Sequence, residues 1–308
     1  MTSVPLLRCA TAVQERGDSP AVTATPVTRW LLAEQPGAWG RDAARQSGLD
    51  RDLAEALLAR VTGQGVRLLL IRRYGRAVPG RRRWAYVDSQ PGSEATYWGS
   101  VSADHELLDL PLDGSAGTAT TAPIFLVCTH GRHDACCAIR GRPVAAALHA
   151  IRPAETWECS HVGGDRFAAN LVVLPHGLVY GHVTAATAVD VVAAHEGGLV
   201  VPGLLRGRSC FPGPVQAAQH FARLQLREYG ISALAPQAVT TLSDSTWQVR
   251  LARTAGDLEV TVAAEQTAPA RLTCAATRNV VATTYRLVSA LPAPPPSARR
   301  CTEVTNPS

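Results

Sequence analysis

The chain is 308 residues long, with 46% hydrophobic and 18% charged residues, which supplies a sizeable core and fits two domains better than one. Its net charge is +5, carried by 30 arginines and no lysine, and the one tight arginine cluster, Arg81–Arg83, reads as a solvated loop, so nucleic acid is not an expected partner. No run of about 18 apolar residues suggests a membrane span, and the N-terminus MTSVPLLRCATAVQERGDSP lacks a secretory-signal pattern; the expectation is a cytoplasmic protein whose eight cysteines are reduced, metal-bound or redox-active rather than paired in structural disulfides.

In chain order, residues 1–25 read as a loosely packed lead-in rich in Pro and Thr. Arg29–Glu34 is a short buried strand, 49–62 a helix by the spacing of its Leu and Ala, and Val66–Arg72 a second apolar strand. Arg81–Arg83, after Pro79-Gly80, reads as a solvated loop, with strands at Trp84–Val87 and Ala95–Val101 beyond it. The stretch 110–122, LPLDGSAGTATTA, is a bridge at which a domain boundary is expected. Pro123–Val127 is a strand ending in Cys128, and 137–150 an Ala-rich helix. Thr156–Ser160 is a strand, Leu171–Leu174 and Leu178–Val183 form a hairpin about Pro175-His176-Gly177, and Thr187–His195 is a helix stopped at Gly197-Gly198. Beyond Phe211, residues 214–228 form an amphipathic helix with Val215, Ala218, Phe221 and Leu224 apolar, followed by strands at Trp247–Leu251, Leu258–Ala263 and Tyr285–Val288. The Pro/Ser-rich tail from Pro292 is expected to be disordered. The first two segments repeat the order strand, helix, strand, strand pair, as a degenerate duplication would. The fold class is α/β: an N-terminal α/β domain over 1–115, a central domain over 120–205, a helix plus β-rich segment over 206–290 and a tail over 291–308.

Chemistry concentrates in two stretches. Cys128-Thr-His-Gly-Arg-His-Asp-Ala-Cys-Cys137 follows a buried strand and opens a helix, a common place for ligands in an α/β sheet. Two cysteines nine positions apart reach one metal if the loop folds back, and thiolates are the soft ligands iron–sulfur clusters require. In Trp157-Glu-Cys-Ser-His161-Val-Gly-Gly-Asp165-Arg-Phe-Ala-Ala-Asn170, the glycine pair permits a tight turn that brings imidazole and carboxylate to one point.

Together, C-T-H-G-R-H-D-A-C-C and S-H-V-G-G-D-R-F-A-A-N resemble the sucrase/ferredoxin-like family, the thioredoxin-like 2Fe–2S ferredoxins, over roughly 123–205, with outer segments similar to those of actinobacterial members. The resemblance implies a thioredoxin-like domain, a 2Fe–2S cluster and electron transfer. In the family, two cysteines with eight residues between them bind one iron, and the histidines of H-x-G-G-H bind the other. Cys128 and Cys137 match the cysteine pair and His161 the first histidine. Asp165 stands where the second histidine would be and is the first choice for the fourth ligand; Cys159, Cys136, His133 and His130 are the alternatives. Arg166 and Asn170 match the pattern after the ligand turn and are expected to hydrogen-bond to the cluster or its ligands. The implied partner is a reductase or electron acceptor, whose docking the basic excess would favour if it is acidic.

Two other readings compete. A cluster-free thiol–disulfide oxidoreductase would use Cys136, Cys137 and Cys159, although C-x-x-C is absent. A structural zinc site is compatible with a set of two cysteines, one histidine and one aspartate, although the knuckle spacing is missing. Sugar hydrolysis lacks a convincing carboxylate pair, and no flavin or nucleotide motif occurs. Cys9, Cys210 and Cys274 read as small buried hydrophobes and Cys301 as an unused thiol of the tail. His149, His176, His182, His195 and His220 read as packing or surface residues.

Overall fold

The structure, a computed structural model, describes residues 7–75 and 80–293. Helix α1 (Cys9–Arg16) precedes β1 (Arg29–Glu34), α2 (Arg51–Gly63), β2 (Val66–Arg72), β3 (Arg82–Asp88), β4 (Ala95–Val101) and β5 (Thr118–Thr120). A second run holds β6 (Ile124–Cys128), α3 (Ala135–Ile151), β7 (Thr156–Cys159), β8 (Leu171–Leu174), β9 (Leu178–Tyr180), α4 (Ala185–Glu196) and β10 (Leu205–Arg208). Helix α5 (Gly213–Leu226) and strands β11 (Pro236–Ser243), β12 (Thr246–Leu251), β13 (Leu258–Gln266) and β14 (Thr283–Pro292) complete the chain. The fold is α/β: a ten-stranded mixed sheet with helices and a separate four-stranded antiparallel sheet.

The two runs share one topology. In the first, β1 pairs with β2 in parallel and with β3 antiparallel, and β3 pairs with β4 antiparallel, giving the order β2-β1-β3-β4. In the second, β6 pairs with β7 in parallel and with β8 antiparallel, and β8 pairs with β9 antiparallel, giving β7-β6-β8-β9. That order, with a crossover helix between the parallel strands, is the thioredoxin-like arrangement. The two units join antiparallel at β2 and β7 through Ile71↔Cys159 and Arg72↔Glu158, so one sheet runs across the bridge at 110–122.

This sheet curls strongly. Trp98 on β4 stacks on Trp157 on β7 with ring centroids 5.4 Å apart, although three strands separate them in the sheet order. Curling lets one face of each unit contribute to a shared core, with Trp30, Leu32 and Val87 from the first unit and Leu126, Val172 and Leu174 from the second. Strand periodicity sends alternate residues outward. Leu31 and Ala33 pack with Leu57 and Val61 of α2, while Phe125 and Val127 pack with Val144 and Leu148 of α3 and Val191 of α4. Helix α2 starts where the Asp50 carboxylate accepts from the backbone N–H groups of Asp52 and Leu53, a cap worth about 1 kcal/mol.

Several local expectations change. The segment 1–25 is not all loose lead-in, because α1 buries Cys9, Ala10 and Val13. Arg82 and Arg83 belong to β3 rather than to a solvated loop: Arg82 pairs with Asp104, and Arg83 lies over the Trp98 ring. On α5 the buried face is Val215, Ala218 and Ala222, and Leu224 is exposed. Strand β11 is additional to the expected elements. Leu291 and Pro292 pair with Glu259 and Leu258 in β14, and the expected tail lies, from residue 294 on, outside the described residues. Among the described residues no helix is long and apolar enough to cross a membrane.

Candidate metal centre

Cys128 is the last residue of β6 and is fully buried on the shared-core face. The loop after it returns so that Cys137, in the first turn of α3, meets it. The close approach of α3 to β6 depends on Gly141, since a Cβ there would lie 2.2 Å from the Cys128 carbonyl oxygen. Strand β7 runs parallel to β6, with Cys159 in register with Cys128, and its exit carries His161 to the same end of the sheet. That exit is held by the other unit: Ser160 N–H donates to the Leu70 carbonyl (2.8 Å), and the Arg67 guanidinium donates to the His161 carbonyl (3.0 Å).

The turn from His161 to Asp165 needs its glycines. Gly163 and Gly164 have φ of +92° and +76°, a region L-residues seldom occupy. A Cβ on Gly164 would also lie 2.4 Å from a guanidinium nitrogen of Arg206. Arg206, on β10 and almost fully buried, donates to the Gly163 carbonyl and to the Asn170 side-chain oxygen, both at 2.8 Å. Asn170 in turn donates to the Gly164 carbonyl at 3.0 Å, and its own carbonyl accepts from Cys128 N–H at 3.0 Å. Asn170 therefore acts on the turn rather than on a ligand atom. Arg166 lies over the Phe167 ring at 4.5 Å.

The sulfur atoms of Cys128 and Cys137 and an imidazole nitrogen of His161 all lie within 4.8 Å of one another. The Asp165 carboxylate joins them: one oxygen is 3.2 Å from Cys137 Sγ and 2.9 Å from His161 Nδ1, and the other is 3.6 Å from His133 Nε2. The His133 and His161 rings stack with centroids 3.7 Å apart. His161 Nδ1 lies out of line for a hydrogen bond and has no such partner among the described residues. Asp165 is 2% exposed, and its only ion pairs among the described residues are with the two histidines. A buried carboxylate whose partners are two titratable imidazoles, rather than a fixed cation, suits a site that takes a metal.

Charges in the site are coupled. A hydrogen bond between the Cys137 and Cys128 sulfurs, with His161 and the His130 backbone N–H, holds the Cys128 thiol well below its ordinary range against the cost of burial. The same hydrogen bond, burial and Asp165 push Cys137 upward. Burial works against the His161 charge, but Asp165 and Cys128 outweigh it and raise that imidazole to about 9. Metal binding to these thiols would displace their protons.

The alternative ligands are placed differently. His133 faces Asp165. His130 turns away, with Nε2 2.6 Å from the Gly40 carbonyl oxygen and its ring edge-on to Trp39. Cys159 lies beside Cys128 but outside the convergent set. Cys136 points to the other side of α3. There its sulfur is 3.7 Å from Cys9 and 3.4 Å from Cys274, so these two are not the isolated packing cysteines the sequence suggested. Sequence reasoning also missed Arg67 and Arg206; the strand Leu205–Arg208, with two arginines in a buried run, was the available signal for the latter.

The family model described as sucrase/ferredoxin-like matches residues 20–207. The match spans both thioredoxin-like units, well beyond the 123–205 segment that carries the motif resemblance, and stops before α5. Neither the curated proteins nor the solved structures contain a significant match to the chain.

Proposed function

The chain belongs to the sucrase/ferredoxin-like family, and we propose that it holds a 2Fe–2S cluster and exchanges single electrons with a redox partner protein. One observation supports this above the others: two thiols, an imidazole and a buried carboxylate from separate segments converge at one end of the sheet. Cys128 and Cys137 would bind one iron, and His161 with Asp165 the other. When bound, the cluster supplies a one-electron couple.

The surrounding residues keep water out and fix the charge. The cysteines are buried, whereas His161 and His133 are 26% and 32% exposed, so the imidazoles form the mouth of the site. A cleft of about 480 Å³ opens onto them, walled by Arg41, Asp42, Ala44 and Leu68. A partner docking there meets the shortest path to the buried sulfurs, and the net charge of +5 favours an acidic one. Asn170 and Arg206 lock the ligand turn, while Arg67 and Arg166 add positive charge beside it. Seven unpaired cysteines among the described residues accord with a cytoplasmic location.

The dithiol alternative is disfavoured by geometry: Cys136 is directed at Cys9 and Cys274, away from Cys137 and Cys159. Anaerobic reductive titration of the purified chain separates the readings. The cluster reading predicts reversible uptake of one electron per chain with bleaching of a brown colour. Two-electron uptake by colourless, iron-free protein would instead establish the dithiol.

A further inference from the structure

We propose a second metal site, formed by Cys9, Cys136 and Cys274 with Asp134, that binds one zinc ion and pins three distant segments together. Cys9 opens α1, Cys136 lies in the first turn of α3, and Cys274 lies in the connection between β13 and β14. Their sulfur atoms form a triangle with edges of 3.4, 3.5 and 3.7 Å. A tetrahedron with metal–sulfur bonds of about 2.3 Å has edges of about 3.8 Å, so the triangle needs only slight opening to seat zinc. Both Asp134 oxygens lie 3.7–3.8 Å from Cys9 Sγ, close to the oxygen–sulfur edge of about 3.5 Å that a carboxylate ligand would give.

Asp134 is itself held in place. It caps α3, accepting from Cys136 N–H at 2.8 Å, and also accepts from Cys274 N–H at 2.6 Å. One carboxylate thus orients two of the three thiols and keeps lone pairs for a cation, the arrangement expected around a structural metal. Cys9, Cys136 and Asp134 are at most 3% exposed. Three thiolates with one carboxylate form a soft, closed, four-ligand set, which selects zinc over magnesium or calcium. A disulfide would use only two of the three sulfurs and leave the third without a partner.

Position supplies the purpose. The connection from Thr267 to Ala282 has no helix or strand, only an isolated bridge between Ala270 and Val280. A metal at Cys274 would fasten it, and with it the four-stranded sheet, to the start of α3. Because Cys136 and Cys137 are adjacent, this anchor also steadies the turn that presents Cys137 to the first site.

The test uses the full chain carrying Cys128→Ala and Cys137→Ala, with cobalt(II) and zinc as probes. It should bind one equivalent of cobalt with an intense thiolate-to-cobalt charge-transfer band, displaced by zinc. Adding Cys9→Ser or Cys274→Ser should weaken zinc binding at least about tenfold. Cys274 is only partly buried, so its variant is the one expected to fold undisturbed. Unchanged affinity in both serine variants, or an intact mass two hydrogens lighter under non-reducing conditions, would overturn the proposal. Iron and sulfide content of the otherwise wild-type Cys274→Ser chain reports on the first site separately, so either site can fail alone.

Discussion

Replacing Cys137 by alanine is expected to lower bound iron at least about tenfold, whereas replacing Cys159 by alanine should leave iron bound. The two cysteines are both buried near Cys128, and a sequence reading offered both. Geometry separates them. Cys137 sulfur belongs to the convergent set and contacts the Asp165 carboxylate, whereas Cys159 lies in register with Cys128 as a core residue of β7. Loss of Cys159 should cost stability of about 1 kcal/mol through a small cavity, visible as a shifted denaturation midpoint with the absorption spectrum intact. Iron retained by Cys137→Ala would remove this cysteine from the ligand set.

Asp165→His is expected to raise the reduction potential by on the order of 100 mV, measured by redox titration at fixed pH. That magnitude follows from the roughly 250 mV or more gained when two histidines replace two thiolates in Rieske centres. Charge gives the sign. The doubly positive oxidised core with two thiolates and two neutral histidines is neutral overall, and aspartate makes it one unit more negative. A more negative centre resists an incoming electron. Arg67 and Arg206 are common to both proteins and cancel in the comparison. A native potential equal to or above that of Asp165→His would show that Asp165 is not a ligand. His133, 3.6 Å from the same carboxylate, would then be the candidate, with His133→Ala as the variant that changes the spectrum.

Much of the candidate site was legible because its parts are local. A strand ending in cysteine, a cysteine opening a helix, and a glycine pair between histidine and aspartate each leave a short-range pattern. The repeated strand order was visible for the same reason. What holds these parts in place was not. The guanidinium of Arg67 reaches a carbonyl 94 residues away, and that of Arg206 one 43 residues away; no periodicity records such contacts. The sulfurs of Cys9 and Cys274 meet across 265 residues. Helix α1 escaped because it buries only three residues among charged neighbours. Strand β11 is exposed along nearly its whole length, so it lacks the alternation by which half-buried strands are recognised. The face of α5 was misjudged at Leu224 because apolar spacing alone does not say where the neighbouring sheet ends.

The proposed cluster is of the 2Fe–2S type, held by Cys128, Cys137, His161 and Asp165. Its most direct test is the content of iron and acid-labile sulfide in the chain purified without oxygen. Two irons and two sulfides per chain, both lost in Cys128→Ala, is the predicted result. A colourless protein carrying zinc at Cys128 and Cys137, with no labile sulfide, would contradict it.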